Sequence, residues 1–316
     1  MTMNNNTVDI YSPASFLKEE IRCDFKVTER RKRLWQMQLD MLQLVDTICN
    51  KYSIKYFAIG GTLLGAIRHK GYIPWDDDID LAMFRSDYEQ FVQAALQEIK
   101  YPYFVQSPTT EEDYAISHIK IRNSNSVGAT KYDFEFKYNK GVFIDIFPLD
   151  NIPDDSSQKQ QLLNGVHDYR KTLDVGARHF WYWQGTIKGA KNILSEEEKN
   201  YYISLVKERS IPTICDEYKS FCTQYNNTDT EYCGFLGLEL TSERFFWKRD
   251  CFSGQTTVPF EYLKIPCPSG YDEILKKTYG NYSVFERTGS LHGTLIFEPD
   301  ISYKDYILSD SPSFLL

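Results

Sequence analysis

The spacing of apolar residues changes from helical to strand-like in the first part of the chain. From residue 28 to 52, apolar side chains recur at helical spacing, which predicts an amphipathic helix packed on a sheet. The next segment, IKYFAI (54–59), is a short apolar run that predicts a buried strand. In DIDLAM (78–83), acidic and apolar positions alternate. This alternation predicts a second strand with Asp78 and Asp80 on one face and apolar side chains on the other.

A glycine pair opens the segment between these two predicted strands, GGTLLGAIRH (60–69). The apolar run after the glycines predicts a helix, and Thr62 is its expected N-cap residue. Glycines at a helix N-terminus let backbone N–H groups approach a phosphate, and the helix dipole favours that charge. We therefore expect Gly60, Gly61 and Thr62 to cradle a phosphate. The segment matches neither a Walker A loop nor a dinucleotide-binding glycine motif.

The carboxylates before the second strand need a partner for their charge. Four of them fall within five positions, at Asp76, Asp77, Asp78 and Asp80. They repel one another unless a cation or several hydrogen bonds hold them. Asp78 and Asp80 suit one or two hard divalent cations, Mg²⁺ or Mn²⁺, and a solvated acidic turn is the alternative. An EF-hand is excluded, because Leu81 and Asp87 stand where that loop needs Gly and Glu. A metal pair beside a phosphate cradle favours phosphoryl or nucleotidyl transfer.

A later segment, YAISHIKIR (114–122), also alternates between apolar and polar positions. It predicts a strand with His118, Lys120 and Arg122 on one face. A row of cations on a strand is ordinarily a solvent-exposed edge. Near a carboxylate–metal site, the same row would stabilise phosphate charge as it develops. We expect that role for Lys120 and Arg122 more than for His118.

The segment GVFIDIFPLD (141–150) places Asp145 inside an otherwise apolar strand. A carboxylate in such surroundings must be paired, protonated or bound to a metal. An ordinary salt bridge would satisfy it. Beside Asp78 and Asp80, it would instead be a third carboxylate of the metal site, either as a ligand or as the general base for an acceptor hydroxyl.

Composition and charge narrow the class of protein. With 316 residues, 42% of them hydrophobic and 25% charged, the chain can build a sizeable core in one or two domains. The net charge of −8 and the lack of a basic tract argue against nucleic-acid binding. The N-terminus lacks signal-peptide features, and no run of about 18 apolar residues predicts a membrane span. Seven cysteines without a C-x-x-C pair fit reduced thiols in a cytoplasmic protein.

Two groups of residues in the C-terminal half have a less specific pattern. Buried free thiols are the expected state of Cys215, Cys222 and Cys233, with a zinc site as the alternative. The aromatic cluster Trp181–Trp183 is expected to pack in the core, and a cage for a quaternary ammonium is its alternative.

The stretch GGTLLGAIRHKGYIPWDDDIDLAMFRSDYEQF resembles the signature of the LicD family of phosphotransferases, which includes phosphocholine transferases and fukutin-type enzymes. HIKIR (118–122), GVFIDIFPLD (141–150) and YDEILKKTYGNY (271–282) extend the resemblance over most of the chain. It implies a nucleotidyltransferase-type fold and transfer of a phospho-substituent from a CDP-linked donor to a glycan hydroxyl. The family motif includes Arg68, expected on the donor phosphates, and His292 matches a histidine that closes the pattern.

Together these observations predict an α/β (α+β) protein with a mixed, nucleotidyltransferase-like sheet flanked by helices and a mostly helical C-terminal extension. We expect an N-terminal arm (1–28), a catalytic core (29–150) and a C-terminal region (151–316) that completes the active site. The predicted reaction is metal-dependent transfer of phosphocholine, or a similar group, from CDP-choline or a similar donor, with release of CMP. The acceptor is a cell-surface glycan such as lipopolysaccharide or teichoic acid.

Two alternatives to this reaction remain open at the level of sequence. One is a nucleotidyltransferase that makes an NDP-activated compound and releases pyrophosphate. The other is a non-catalytic nucleotide-binding protein. In the transferase interpretation, a lipid-linked glycan precursor as acceptor would bring the cytoplasmic protein to the inner face of the membrane.

Overall fold

The computed structural model describes residues 10–177, 194–237, 243–285 and 295–315. Within these ranges seven α-helices accompany a mixed sheet, so the predicted α+β class is confirmed. The helices are α1 (Glu29–Tyr52), α2 (Gly60–Arg68), α3 (Arg85–Glu98), α4 (Ser156–Lys171), α5 (Glu196–Arg209), α6 (Ile211–Cys222) and α7 (Tyr271–Tyr279). The strands are β1 (Glu20–Arg22), β2 (Phe25–Val27), β3 (Phe57–Ala58), β4 (Asp80–Phe84), β5 (Tyr103–Gln106), β6 (Ile119–Asn123), β7 (Val127–Ala129), β8 (Val142–Ile152), β9 (Tyr232–Gly234), β10 (Phe246–Lys248), β11 (Gln255–Phe260), β12 (Leu263–Pro268) and β13 (Ile296–Glu298).

Helix α1 covers one side of the sheet, as its apolar spacing predicts. The Thr28 side chain caps it by accepting a hydrogen bond from the Arg31 backbone N–H at 3.2 Å. It ends at Ser53, which adopts the left-handed conformation. Its buried stripe contains polar as well as apolar side chains, among them Gln38, which is 1% exposed. The helix therefore does more than cover apolar surface.

Strand β8 is the centre of a seven-stranded sheet and is buried along all 11 residues. It pairs in parallel with β4 on one side and antiparallel with β6 on the other. Strand β3 extends the sheet beyond β4, and β5 extends it beyond β6. A strand with neighbours on both edges and with both faces covered needs an almost continuous apolar sequence. The residues directly before and after Asp145 have that character, which makes its carboxylate conspicuous.

Two local predictions change at the start of α2 and of β4. Helix α2 begins at Gly60 with Ile59 as N-cap, so the prediction of Thr62 as N-cap is wrong. Thr62 lies in the first turn of the helix, and its hydroxyl accepts a hydrogen bond from the Asp80 backbone N–H at 2.8 Å. Strand β4 begins at Asp80, so Asp78 precedes the strand. Burial nevertheless alternates, because Asp78 and Asp80 are partly exposed and Ile79 is buried.

Residues after 150 add both helices and strands to this core. Helices α4 and α6 pack on each other beside the sheet, and a capping box of Ser195 and Glu198 opens α5. Short strands follow from residue 232 onward. Strand β9 pairs with the end of β8, and β10 pairs with β9, so they extend the central sheet. The predicted division into three parts stays a prediction. None of the described helices combines the length and apolar character needed to cross a bilayer.

Candidate active site

Three charged residues lie in one row across the middle of the sheet. The parallel pairing of β4 with β8 sets Asp80 opposite Asp145. The antiparallel pairing of β6 with β8 sets Lys120 opposite Asp145 on its other side. Directly opposed residues on neighbouring strands project to the same face of a sheet. The sheet therefore joins two of the predicted carboxylates, which are 65 positions apart in the sequence, with one of the predicted cations.

Asp145 is held by two basic side chains. Its carboxylate is buried, with Lys120 Nζ at 2.5 Å and His118 Nε2 at 2.8 Å from the same oxygen, Oδ1. Burial alone would raise the pKa of Asp145. The charge of Lys120 and the hydrogen bond from His118 outweigh it, so the pKa lies well below the usual range and Asp145 is ionised at neutral pH.

The two bases around Asp145 differ in charge. Burial lowers the pKa of His118 to about 4, which leaves its ring neutral at neutral pH. Its second nitrogen, Nδ1, is buried without a hydrogen-bond partner among the described residues. Burial also lowers the pKa of Lys120, and the charge of Asp145 opposes that shift. The Lys120 ammonium lies 3.8 Å from the centre of the Phe143 ring. The result is an ion pair next to a neutral imidazole.

The acidic loop, defined here as residues 75–79, gathers carboxylates in front of β4. Among the residues that the structure describes, one group of three metal-ligating side chains has ligand atoms within 4.8 Å of one another, and it consists of Asp76, Asp77 and Asp78. Of the predicted metal ligands, Asp78 belongs to this group. Asp80 follows it by two residues and leads into the row with Asp145. Carboxylate oxygens of this kind are the ligands that Mg²⁺ and Mn²⁺ prefer.

The N-terminus of α2 meets these carboxylates closely. A Cβ atom on Gly60 would lie 3.0 Å from Asp80 Oδ2, and the residue has a φ of +56°. A Cβ atom on Gly61 would lie 2.6 Å from Asp76 Oδ2. Position 60 therefore requires glycine for its conformation, and a Cβ atom at either position would displace a carboxylate oxygen of the site. The predicted phosphate cradle adjoins the acidic loop, while its binding of phosphate stays a prediction.

Arg122 lies on the same strand as Lys120 but makes structural contacts. It is 3% exposed, and its guanidinium donates to Gln106 Oε1 at 2.5 Å and to the Gly141 carbonyl at 2.6 Å. These bonds satisfy buried acceptors near the start of β8. Its predicted contact with a donor phosphate stays a prediction, and the observed bonds would have to change for that contact to form.

Arg68 is at the opposite end of α2 from the glycines, about 12 Å away along the helix axis. Its guanidinium donates to the carbonyl oxygens of Tyr282 at 2.9 Å and Val284 at 3.2 Å. It thereby ties the segment after α7 to α2. His292, the other predicted donor-binding residue, lies outside the described residues, as does the aromatic cluster at 181–183.

The cysteines in the described ranges are free thiols, as expected for the three singled out in the sequence. Cys215, Cys222 and Cys233 are buried. Burial raises the pKa of Cys215 and of Cys233 to about 12. Burial thus disfavours the thiolate, which is the form of cysteine that binds zinc. Within the described part of the chain, no cysteine joins a group of three potential ligands.

Tyr279 is a candidate that the sequence did not single out. It is the last residue of α7, and its side chain approaches the carboxylates. Burial and the negative charges of Asp80, Asp76 and Asp78 raise its pKa, so the phenol is neutral at neutral pH. It belongs to the segment YDEILKKTYGNY, but the pattern of that segment predicts only a helix. The packing of α7 against α2 brings Tyr279 to the site.

The fold and the site together define an α+β protein in which sheet pairing and an acidic loop concentrate carboxylates beside a glycine-rich helix start. A model of the LicD/FKTN/FKRP nucleotidyltransferase domain matches residues 53–175. This range contains α2, the acidic loop and the row of Asp80, Lys120 and Asp145. The predicted resemblance to the LicD family is confirmed over this range, and the chain is a transferase.

Three relatives show how far the similarity extends along the chain. The lipopolysaccharide cholinephosphotransferase LicD of Haemophilus influenzae is 27% identical over 261 residues, which cover 81% of this chain and 92% of that protein. An uncharacterized protein of Rickettsia typhi is 39% identical over 70 residues, 22% of this chain and 21% of its own. An uncharacterized protein of Rickettsia prowazekii is 44% identical over 54 residues, 17% of this chain and 19% of its own.

Proposed function

We propose that this protein transfers phosphocholine from CDP-choline to a hydroxyl group of lipopolysaccharide or a related cell-surface glycan. The hydroxyl oxygen forms a bond to the phosphorus that carries choline, and the bond from that phosphorus to the bridging oxygen breaks. CMP leaves with the bridging oxygen, and the proton of the attacking hydroxyl is released to solvent. The observation that carries the proposal is the row of Asp80, Asp145 and Lys120 beside the glycine-rich start of α2. Similarity to a lipopolysaccharide cholinephosphotransferase supports choline as the transferred group.

The carboxylates of the site fit a hard divalent cation. Asp76, Asp77 and Asp78 have oxygens close enough to share one, Asp80 follows two residues after Asp78, and strand pairing sets the buried Asp145 opposite Asp80. We propose that Asp78, Asp80 and Asp145 hold Mg²⁺ or Mn²⁺. When bound, such an ion would neutralise the donor phosphates and lower the pKa of the attacking hydroxyl.

The chemistry of Asp145 favours a ligand over a general base. Burial is outweighed by Lys120 and His118, so its pKa lies well below the usual range. A carboxylate with such a low pKa is a weak proton acceptor at neutral pH, because efficient general bases have a pKa near the working pH. It also stays ionised, as a ligand must. The low pKa of Asp145 therefore supports the role of metal ligand, which is one of the two roles that the sequence left open.

The other residues of the site would orient the donor. The first backbone N–H groups of α2 point out of the helix N-terminus, and the glycines let a phosphate approach them. Lys120 adds one positive charge beside the carboxylates. The acceptor, a glycan or its lipid-linked precursor, would bring this chain to the inner face of the membrane when it carries a lipid.

The decisive experiment measures nucleotide products from the purified full-length chain. CDP-choline is incubated with lipopolysaccharide and Mn²⁺ or Mg²⁺, with EDTA as blank, and CTP is tested separately for pyrophosphate release. Asp80→Asn should lower CMP release by about 10²–10³-fold, the size expected when a group that stabilises transition-state charge is lost. Asp300→Asn is the matched control, because Asp300 is exposed and pairs with Arg33 away from the carboxylates.

The outcomes separate the alternatives. Metal-dependent CMP release that is lost in Asp80→Asn and kept in Asp300→Asn supports the proposal. Pyrophosphate release from CTP without CMP from CDP-choline would favour a nucleotidyltransferase. Binding of CDP-choline without turnover, in the presence of the glycan acceptor, would favour a binding protein. Replacing CDP-choline by CDP-ethanolamine, CDP-ribitol or CDP-glycerol tests which group is transferred.

A further inference from the structure

Helix α1 presents a row of buried polar side chains to the acidic loop. Arg31, Trp35 and Gln38 follow one another at helical spacing, so they share a face of α1. Arg31 Nη1 and Trp35 Nε1 both donate to the Asp76 carbonyl oxygen, at 2.9 and 3.0 Å. Gln38 Nε2 donates to the Asp77 carbonyl oxygen at 2.8 Å. These bonds hold the backbone of the loop that carries the carboxylates.

Gln38 also reaches the opposite half of the site. The same Nε2 group donates to the Phe143 carbonyl oxygen at 3.3 Å, two residues before Asp145 on β8. The Tyr72 hydroxyl donates to Gln38 Oε1 at 3.0 Å, which keeps the amide nitrogen turned toward the two carbonyls. One buried amide thus bridges the acidic loop and the strand of Asp145.

We propose that Gln38 is a positioning residue that sets the distance between the acidic loop and β8, and thereby between Asp78, Asp80 and Asp145. A buried amide is costly to place in a core unless it is hydrogen-bonded, and an apolar side chain would serve helix packing alone. The neighbouring interstrand bond, from the Asp145 N–H to the Ile79 carbonyl at 2.9 Å, joins the same two segments. This adds a positioning residue to the proposed active site. Its importance for catalysis rests on the proposed function.

The test compares Gln38→Met with Gln43→Met in the full-length protein. Gln43 is on the same helix and also bonds through its amide, but to the backbone of Tyr11 in the N-terminal segment. Mn²⁺ alone is titrated by electron paramagnetic resonance. Gln38→Met should bind Mn²⁺ about tenfold more weakly, the lower end of the range for residues that orient metal ligands. Gln43→Met should bind as the wild type does.

A second measurement does not depend on metal. Hydrogen exchange of the Asp145 amide, which donates to Ile79, should be faster in Gln38→Met and unchanged in Gln43→Met. Tyr72→Phe leaves Gln38 in place but removes the hydroxyl that orients it. It should therefore weaken Mn²⁺ binding and speed exchange of the Asp145 amide, each by less than Gln38→Met does. If Gln38→Met does not fold, the Mn²⁺ titration and the exchange of the Asp145 amide are measured on Tyr72→Phe and Gln38→Glu instead.

Failure of this inference can be told apart from failure of the proposed function. Wild-type Mn²⁺ affinity and wild-type exchange of the Asp145 amide in Gln38→Met would overturn the positioning role, whatever the CMP assay gives. If the wild-type chain releases no CMP but the Asp145 amide exchanges faster in Gln38→Met, the proposed reaction is overturned and the positioning role of Gln38 stands. When CMP release is present, Gln38→Met should lower kcat while the KM for CDP-choline stays within about twofold, because the donor-orienting groups of α2 are untouched.

Discussion

At the scale of single residues, Tyr279 combines two properties that suit an active-site donor. Its phenol is close enough to Asp80, Asp76 and Asp78 for their charges, together with burial, to raise its pKa. The residue as a whole is still 44% exposed, so a ligand can reach it. A phenol that keeps its proton across the neutral range can donate a hydrogen bond to a carboxylate or to a phosphate.

Replacing Tyr279 by phenylalanine should lower CMP release by about tenfold or more, because a hydrogen bond to a charged group contributes about 1.5–3 kcal/mol. The loss should be equal from pH 6 to pH 9, since the raised pKa keeps the wild-type phenol protonated there. Tyr201→Phe, at an exposed position of α5, is the matched control and should have wild-type activity. Equal activity of Tyr279→Phe and wild type would remove Tyr279 from the site.

The sequence could place some side chains in the site and not others. Alternation predicts that His118, Lys120 and Arg122 share a face, but it does not say which of them meets Asp145. That choice depends on the register of β6 on β8, which sets Lys120 opposite Asp145 and leaves Arg122 near the strand end. Register is a long-range property of a sheet, so a local pattern cannot predict it.

At the scale of elements, the start of α2 shows where a local signal misleads. Threonine is a good N-cap residue, so the sequence favours Thr62. The helix starts earlier, with the Leu63 N–H donating to the Ile59 carbonyl oxygen at 3.0 Å, and Gly60 at this start adopts a positive φ that other residues avoid. Thr62 then uses its hydroxyl to accept from the Asp80 N–H, which ties α2 to β4. This contact joins α2 to β4, whereas the rule for N-cap residues considers the sequence of a single helix.

Gly61→Ala should reduce activity without reducing stability. Alanine favours a helix by about 1 kcal/mol over glycine. Its Cβ, however, would lie 2.6 Å from Asp76 Oδ2, so the carboxylate must move. We expect CMP release to fall at least several-fold while the melting temperature holds or rises. Gly254→Ala is the matched control, because its Cβ would meet the Ser269 hydroxyl at 3.3 Å, outside the site. Full activity of Gly61→Ala would show that the position of Asp76 is unimportant.

At the scale of the whole molecule, the central sheet assembles the site from distant segments. Asp80, Lys120 and Asp145 come from three strands that only long-range pairing brings together. Alternation and apolar runs predicted the strands, whereas their order in the sheet was not predicted from the sequence. Strand β8 also continues to Ile152 and pairs there with β9, so the sheet crosses the boundary predicted at residue 150. The amino-acid composition changes at that boundary, but the pairing of β8 with β9 extends across it.

The stability of the whole chain should therefore depend on the metal. The carboxylates of the acidic loop repel one another, and a cation bound only by the folded state stabilises it by about 2.7 kcal/mol at 100 times its dissociation constant. For a chain of 316 residues, this corresponds to a rise of about 4 °C in melting temperature.

The measurement is thermal unfolding in Mn²⁺, in EDTA, and in NaCl at the same ionic strength. Asp80→Asn should lose most of the rise and Asp300→Asn none. An equal rise in NaCl, or in Asp80→Asn, would mean that Mn²⁺ acts by screening the net charge of −8 and not by binding at this site.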